Sequence, residues 1–290
     1  MAATRSLEKH RKSLSLLFYR AVRDLKPVWM LEEMRTMETF YRGENSSLRT
    51  YTPSEALLYA IVHDHQAYAQ YLLSQYTEEA LAEPGERFCC CASSAPHLSM
   101  AVRYDRRHIL GLILQEAHRF TSNPPYTDRA GCLQEGRTPL HLACELQRPE
   151  SVLMLLGSGA SPVAEDANGL TPLDVLLEKL RDSVEESNEE RRQCLDNLLM
   201  FMPRIDFKMQ AALSNEPERW GKVLGDETFK YLAGRRPPSL LLVAMRAILG
   251  QLSPDSFPDN LNNLPIPSCL KPPGLPVGQR GRARLLEQQI

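Results

Sequence analysis

The chain has 290 residues, enough for one large domain or two ordinary ones. Apolar residues make up 43% and charged residues 24%, which excludes a disordered, collagen-like or low-complexity chain. With 34 Lys and Arg against 36 Asp and Glu, the net charge is −2, so there is no global electrostatic reason to bind nucleic acid or an anionic membrane.

The longest strongly apolar run, Leu240 to Met245, is stopped by Arg246 and falls far short of the roughly 20 residues of a membrane span. The N-terminal stretch is charged and polar, without the apolar core of a signal peptide. Seven cysteines with no CxxC pair fit a reduced protein of the cytosol or nucleus, and the cytosol is the expected place. Aromatic residues are only 7%, which favours an all-α chain over a sandwich or barrel.

In chain order, Leu14, Leu17, Phe18, Ala21, Val22 and Leu25 follow the spacing of an amphipathic helix. Pro27 ends it, and Trp29 to Tyr41 reads as a second helix. Next, Leu57-Leu58-Tyr59-Ala60 leads to Tyr71-Leu72-Leu73, and His97-Leu98-Ser99-Met100-Ala101 leads to Leu112-Ile113-Leu114. The same alanine-to-leucine separation returns between Ala143 and Leu156. There the motif is explicit: Gly136-Arg137-Thr138-Pro139-Leu140-His141-Leu142-Ala143, with Gly169-Leu170-Thr171-Pro172-Leu173-Asp174 33 residues on. Thr caps a short helix, Pro occupies its first turn where a missing N–H is harmless, and Gly159 supplies a positive φ after the second helix. This pattern resembles the ankyrin repeat.

The expected fold is therefore an all-α ankyrin-repeat solenoid with a helical N-terminal cap and a SOCS-box-like helical segment at the C-terminus. Residues 1–50 form the cap, because a repeat stack needs an end element with one polar face. Residues 51–203 hold about four repeats, two of them degenerate, with insertions at Cys89 to Cys91, at Thr121 to Pro125 and at Glu185 to Glu190. Residues 204–236 make a helical connector of two short helices, 237–272 the SOCS-box-like segment, and 273–290 a disordered tail.

The C-terminal segment carries the functional argument. Leu240 to Gly250 follows a Pro pair and places Leu240, Ala244 and Ile248 on one stripe. A large residue fills a partner pocket, and a small one beside it admits close approach. Downstream, Leu264-Pro265-Ile266-Pro267 fixes an extended backbone that displays apolar anchors, with Leu261 and Leu270 flanking. The two motifs, in this order behind repeats, resemble the ankyrin-repeat SOCS-box proteins. That resemblance implies a substrate receptor of a cullin-RING ubiquitin ligase. Leu240, Ala244 and Ile248 would bind elongins B and C. Leu261, Leu264, Pro265, Ile266, Pro267 and Leu270 would select cullin 5, with cullin 2 left open by the motif. A narrower likeness to one ankyrin-repeat protein, carried by Ala21 to Leu25, Pro53 to Ala60, Val62 to Ala69 and Pro237 to Leu240, implies IMP dehydrogenase as client. After Leu270, where a SOCS box continues with Tyr and Leu, this chain reads Lys271-Pro272-Pro273-Gly274 and then Arg280-Gly281-Arg282-Ala283-Arg284.

A client would meet the finger tips and inner helices of the stack. By that architecture its contacts are Asp64, His65, Tyr68, Tyr104, Arg106, Arg107, Glu145, Gln147, Arg148, Glu165 and Asp166. The run Cys89-Cys90-Cys91 reads either as inert or as redox-reactive; adjacent cysteines do not suit a zinc site. No catalytic or cofactor motif is present, so no catalytic residue, metal or cofactor is expected. Two alternatives to the adaptor stand: an ankyrin scaffold that inhibits by occupancy, and a cysteine redox sensor.

Overall fold

A computed structural model describes residues 17–37, 50–84, 96–119, 125–129, 136–182, 189–267 and 270–272. Among these residues all regular structure is helical. The chain divides into two compact units, Met1–Thr121 with Arg129–Leu133, and Ser122–Asp128 with Gln134–Ile290.

In the first unit, helix α1 spans residues 17–23 and α2 spans Val28–Met37. Then come α3 (Pro53–His63), α4 (Gln66–Gln75), α5 (Thr77–Leu81), α6 (Pro96–Arg103) and α7 (Arg107–Ala117). Phe18, Ala21 and Val22 are buried, as the amphipathic pattern expects. Leu17 and Leu25 are not: Leu17 opens the described helix at 41% exposure, and Leu25 sits past the helix end with a φ of 52° and is 58% exposed. Leu14 and residues 38–41 of the expected second helix lie outside the described residues. Pairs α3/α4 and α6/α7 are the two degenerate repeats, with α3 on α6 and α4 on α7. Beside them, Phe18 stacks on Tyr51 at 4.5 Å between ring centres. Glu32 ties α2 to α4: it pairs with Arg35 and accepts hydrogen bonds from the Tyr68 and Tyr76 hydroxyls at 3.3 and 3.0 Å.

The second unit holds α8 (Pro139–Glu145), α9 (Pro149–Gly157), α10 (Pro172–Asp182) and α11 (Glu189–Phe201). These are the two repeats with the explicit motif; α8 packs on α10 and α9 on α11. The connector is three helices, not two: α12 (Gln210–Asn215), α13 (Pro217–Leu224) and α14 (Asp226–Leu232). Pro217 starts one helix and Gly225, at φ 76°, ends it, so the stretch is cut twice. Finally α15 (Leu240–Leu249) packs on α11, and a short α16 (Asp259–Asn262) follows.

The local chemistry repeats. Asp64, Asp105 and Gln147 adopt left-handed φ of 56°, 55° and 55°. The next amide in each case bonds back to the alanine carbonyl: His65 to Ala60 at 2.9 Å, Arg106 to Ala101 at 2.8 Å, Arg148 to Ala143 at 2.9 Å. The inner helices α3, α6 and α8 thus end in the same left-handed turn, whose amides donate to the leftover helix carbonyls. Gly159 takes its expected positive φ, 89°.

Candidate functional site

The site is built on α15, and the residues that precede it set its start. Pro237 and Pro238 stop the connector, and the Ser239 hydroxyl accepts a hydrogen bond from the Leu242 amide at 3.2 Å, capping the helix. Its ten residues, LLLVAMRAIL, are nearly all apolar, yet only Met245 and Leu249 are buried. These two join Leu261, with Met200, Phe201, Ile248, Leu252, Phe257 and Leu264 packed round them. Arg246 anchors the same side. Its guanidinium donates to the Leu199 carbonyl at 3.0 and 2.8 Å and to the Tyr231 hydroxyl at 2.7 Å. Leu199 lies in the last turn of α11, where carbonyls have no partner within their own helix. The other side of α15 is bare. Leu240 is 89% exposed, Leu241 49% and Val243 48%, and Ala244 and Ala247 are exposed with them.

Of the three residues expected to meet the elongins, Leu240 and Ala244 therefore share the open face. Ile248 does not; it is half-buried against the C-terminal cluster, because α15 turns that stripe toward Phe257 and Leu264. Of those expected to meet cullin 5, Leu261 is fully buried and is a core residue of the segment. Leu264 is half-buried against it, Ile266 is half-buried, and Pro265, Pro267 and Leu270 are exposed. The chain bends through residues 264–266 instead of running extended. The Leu264 amide bonds to the Leu261 carbonyl at 3.3 Å, and the Lys271 ammonium to the Asn262 carbonyl at 2.6 Å, which folds the loop back.

The expected client contacts sort by burial. Tyr68 is fully buried among aromatic rings, and His65 is buried with its Nδ1 accepting the Tyr68 amide; neither reaches a client. Asp166 is buried too. Its carboxylate accepts the Asn168 and Leu170 amides at 2.8 and 2.9 Å and Arg137 at 3.3 Å, which builds the turn before Thr171 and holds its carboxyl below the usual range despite burial. Arg106 is spent on the Ile61 and Val62 carbonyls. Glu145 pairs with Arg137 and Lys179, and Gln147 accepts from Arg191. Arg148 and Asp64 are half-buried in their turns. Tyr104, Arg107 and Glu165 remain exposed.

Cys89, Cys90 and Cys91 lie outside the described residues. Cys144 and Cys194 are buried, and burial pushes both thiols up, Cys194 to about 12. Among the described residues no group of three His, Cys, Asp or Glu is placed to hold a metal. No helix there is long and apolar enough to cross a membrane.

Two features of this site had no counterpart in the sequence motifs. Arg246 stood only as the residue that ends an apolar run. A cleft of about 260 Å³ lies alongside α15, between Leu199 and Met200 of α11, Tyr231 of α14, and Leu241, Leu242 and Met245. Asp196, one turn from Leu199, lines it as well. Nothing in the spacing of Asp196 sets it apart, since it stands in an ordinary charged stretch of α11.

Comparison with known proteins agrees with this architecture. A family model of the ankyrin repeat matches residues 135–167, the third helix pair with its following turn. Ankyrin repeat domain-containing protein 9 of Mus musculus is 41% identical over 300 residues, covering 93% of this chain and 92% of that protein. An ankyrin-repeat protein by fold, the chain belongs to the family of ankyrin repeat domain-containing protein 9.

Proposed function

We propose that this chain is the substrate receptor of an elongin B–elongin C–cullin 5 RING ubiquitin ligase. It does no chemistry itself. It holds a client protein near the ligase, so its contribution is an effective concentration that favours ubiquitination and then proteasomal degradation. The observation that carries this reading is the bare apolar face of α15, with Leu240 at 89% exposure and Ala244 beside it. An apolar face left in water forgoes burial, and such faces mark sites of protein association. A protruding leucine one turn from an alanine suits a partner with one pocket and one flat approach surface. The Leu264-Pro265-Ile266-Pro267 loop, with both prolines and Leu270 exposed, supports a second, cullin-facing surface. IMP dehydrogenase is the client that the family resemblance offers, with Tyr104, Arg107 and Glu165 as the exposed candidates to meet it.

Co-expression with elongins B and C followed by size-exclusion chromatography tests the reading. We expect one peak holding all three chains, lost in Leu240→Asp while the melting temperature is unchanged. Separate elution of the wild-type chain would leave an ankyrin scaffold. In the assembled complex, Pro265→Ala with Pro267→Ala should weaken cullin 5 binding and spare the elongins; retention of cullin 2 in place of cullin 5 would reassign the scaffold.

A further inference from the structure

We propose that the cleft beside α15 is a second contact for the partner seated on the α15 face, and that it receives a bulky apolar side chain flanked by a lysine or arginine. This rests on the adaptor reading and adds a chemical requirement to it.

The cleft's walls set the first half of that requirement. Leu199, Met200, Leu242 and Met245 are apolar, and about 260 Å³ is room for one large side chain. Its polar rim sets the second half. Glu227 is already paired with Arg236, and the Tyr231 hydroxyl already accepts from Arg246. Asp196 differs: among the described residues no hydrogen-bond donor reaches its half-buried carboxylate. Burial pushes that carboxyl above its usual range; the charge of Arg192 on the same helix opposes the shift and that of Glu189 adds to it. An occupant that is only apolar would cover the carboxylate further and leave it unmatched, at a cost in binding. A cationic neighbour supplies the missing donor in the same place.

Continuity identifies the occupant. Leu241 belongs both to the open face of α15 and to the wall of the cleft, and Ser239 and Pro237 extend that wall past the helix start. A partner covering Leu240 and Ala244 passes over Leu241 at its edge. One partner surface thus spans both.

The test uses the full chain and the purified elongin B–elongin C complex, with affinity measured at low and at physiological salt. We expect Asp196→Asn to weaken binding about tenfold and flatten its salt dependence. Asp196→Lys should weaken it further, and Asp196→Glu should stay near wild type. The melting temperature of Asp196→Asn should hold or rise, since an unmatched carboxylate contributes nothing to folding; a merely structural role would lower it. Wild-type affinity in Asp196→Asn and Asp196→Lys would overturn the proposal while leaving the adaptor reading intact. A fall in melting temperature that tracks the loss of binding would overturn it as well. Failure of the wild-type chain to bind the elongins would overturn both.

Discussion

Position 174 shows how one side chain records the end of the repeats. In the preceding unit, the His141 Nδ1 accepts the Thr138 amide at 3.2 Å, so its Nε2 carries the proton and donates to the Leu170 carbonyl at 2.9 Å. That carbonyl comes from the turn opening the next unit. Behind α10 there is no such turn, and the chain instead presents the Lys208 and Met209 amides. Two donors need an acceptor, and Asp174 supplies one. Its carboxylate takes Met209 at 2.8 Å and Lys208 at 3.2 Å while still capping Thr171 at 3.0 Å. The change from His to Asp is plain in the sequence, but its partners lie 34 and 35 residues away and carry no motif. Asp174→His, although it restores the family signature, should destabilise the fold by about 2 kcal/mol, because an N–H donor would face N–H donors. Chemical denaturation checks this; a neutral or stabilising result would remove the assigned role.

The helix ends and the α15 anchor follow from short-range rules and long-range packing in different measure. The inner helices were legible because Ala60, Ala101 and Ala143 recur with their leucine partners, and each closes with the same left-handed turn. The seat of α15 was not, because residues outside the helix hold it. Gly157 ends α9 against the ring of Phe257, and a Cβ at 157 would overlap the Cδ1, Cε1 and Cζ carbons of that ring. Gly157→Ala should therefore displace Phe257 and cost about 2 kcal/mol, and Phe257→Ala should cost less in that background than alone. A double-mutant cycle in denaturant measures the coupling; strict additivity would mean the contact contributes nothing. Arg246→Leu removes the cap on the Leu199 carbonyl and the bond to Tyr231. Amide hydrogen exchange across residues 240–249 should quicken at least tenfold, for a loss of about 1.4 kcal/mol or more in local opening. Unchanged protection would assign the seating to the apolar cluster alone.

For the molecule as a whole, buried neutral histidines tie stability to pH. His97 is fully buried and burial pushes it down to about 4, and burial also lowers His141 and, less deeply placed, His63. The unfolded chain takes up these protons near pH 6.5, while the folded chain holds them off until the pH nears the lowered values. Stability is thus complete above 6.5 and declines as the pH falls from there toward 4. At pH 5 the His97 contribution alone is a loss of about 2 kcal/mol relative to pH 7. Denaturant midpoints at the two pH values measure it, and His97→Gln should shrink the difference. An equal slope in that variant would place the pH sensitivity elsewhere.

The repeat architecture was written locally, since Thr-Pro caps, inner-helix alanines and turn glycines each act within a few residues of themselves. So were the start of α15 and its apolar character, which depend on a proline pair, a serine cap and ten consecutive side chains. Which side of α15 meets water could not be read from that string, because nine of its ten residues are apolar and its one charge, Arg246, lies on the side that packs inward. Packing of Met245, Leu249 and Leu261 against α11, and the hold of Arg246 on Leu199, turned Ile248 inward and left Leu240 and Ala244 outside. Packing likewise buried Tyr68 and Asp166, whose places in the repeat architecture had marked them as client contacts. It also set Asp196 beside an apolar cleft formed by elements up to 49 residues apart in sequence. A side chain's type is local information. Its exposure is a property of what the rest of the chain brings against it.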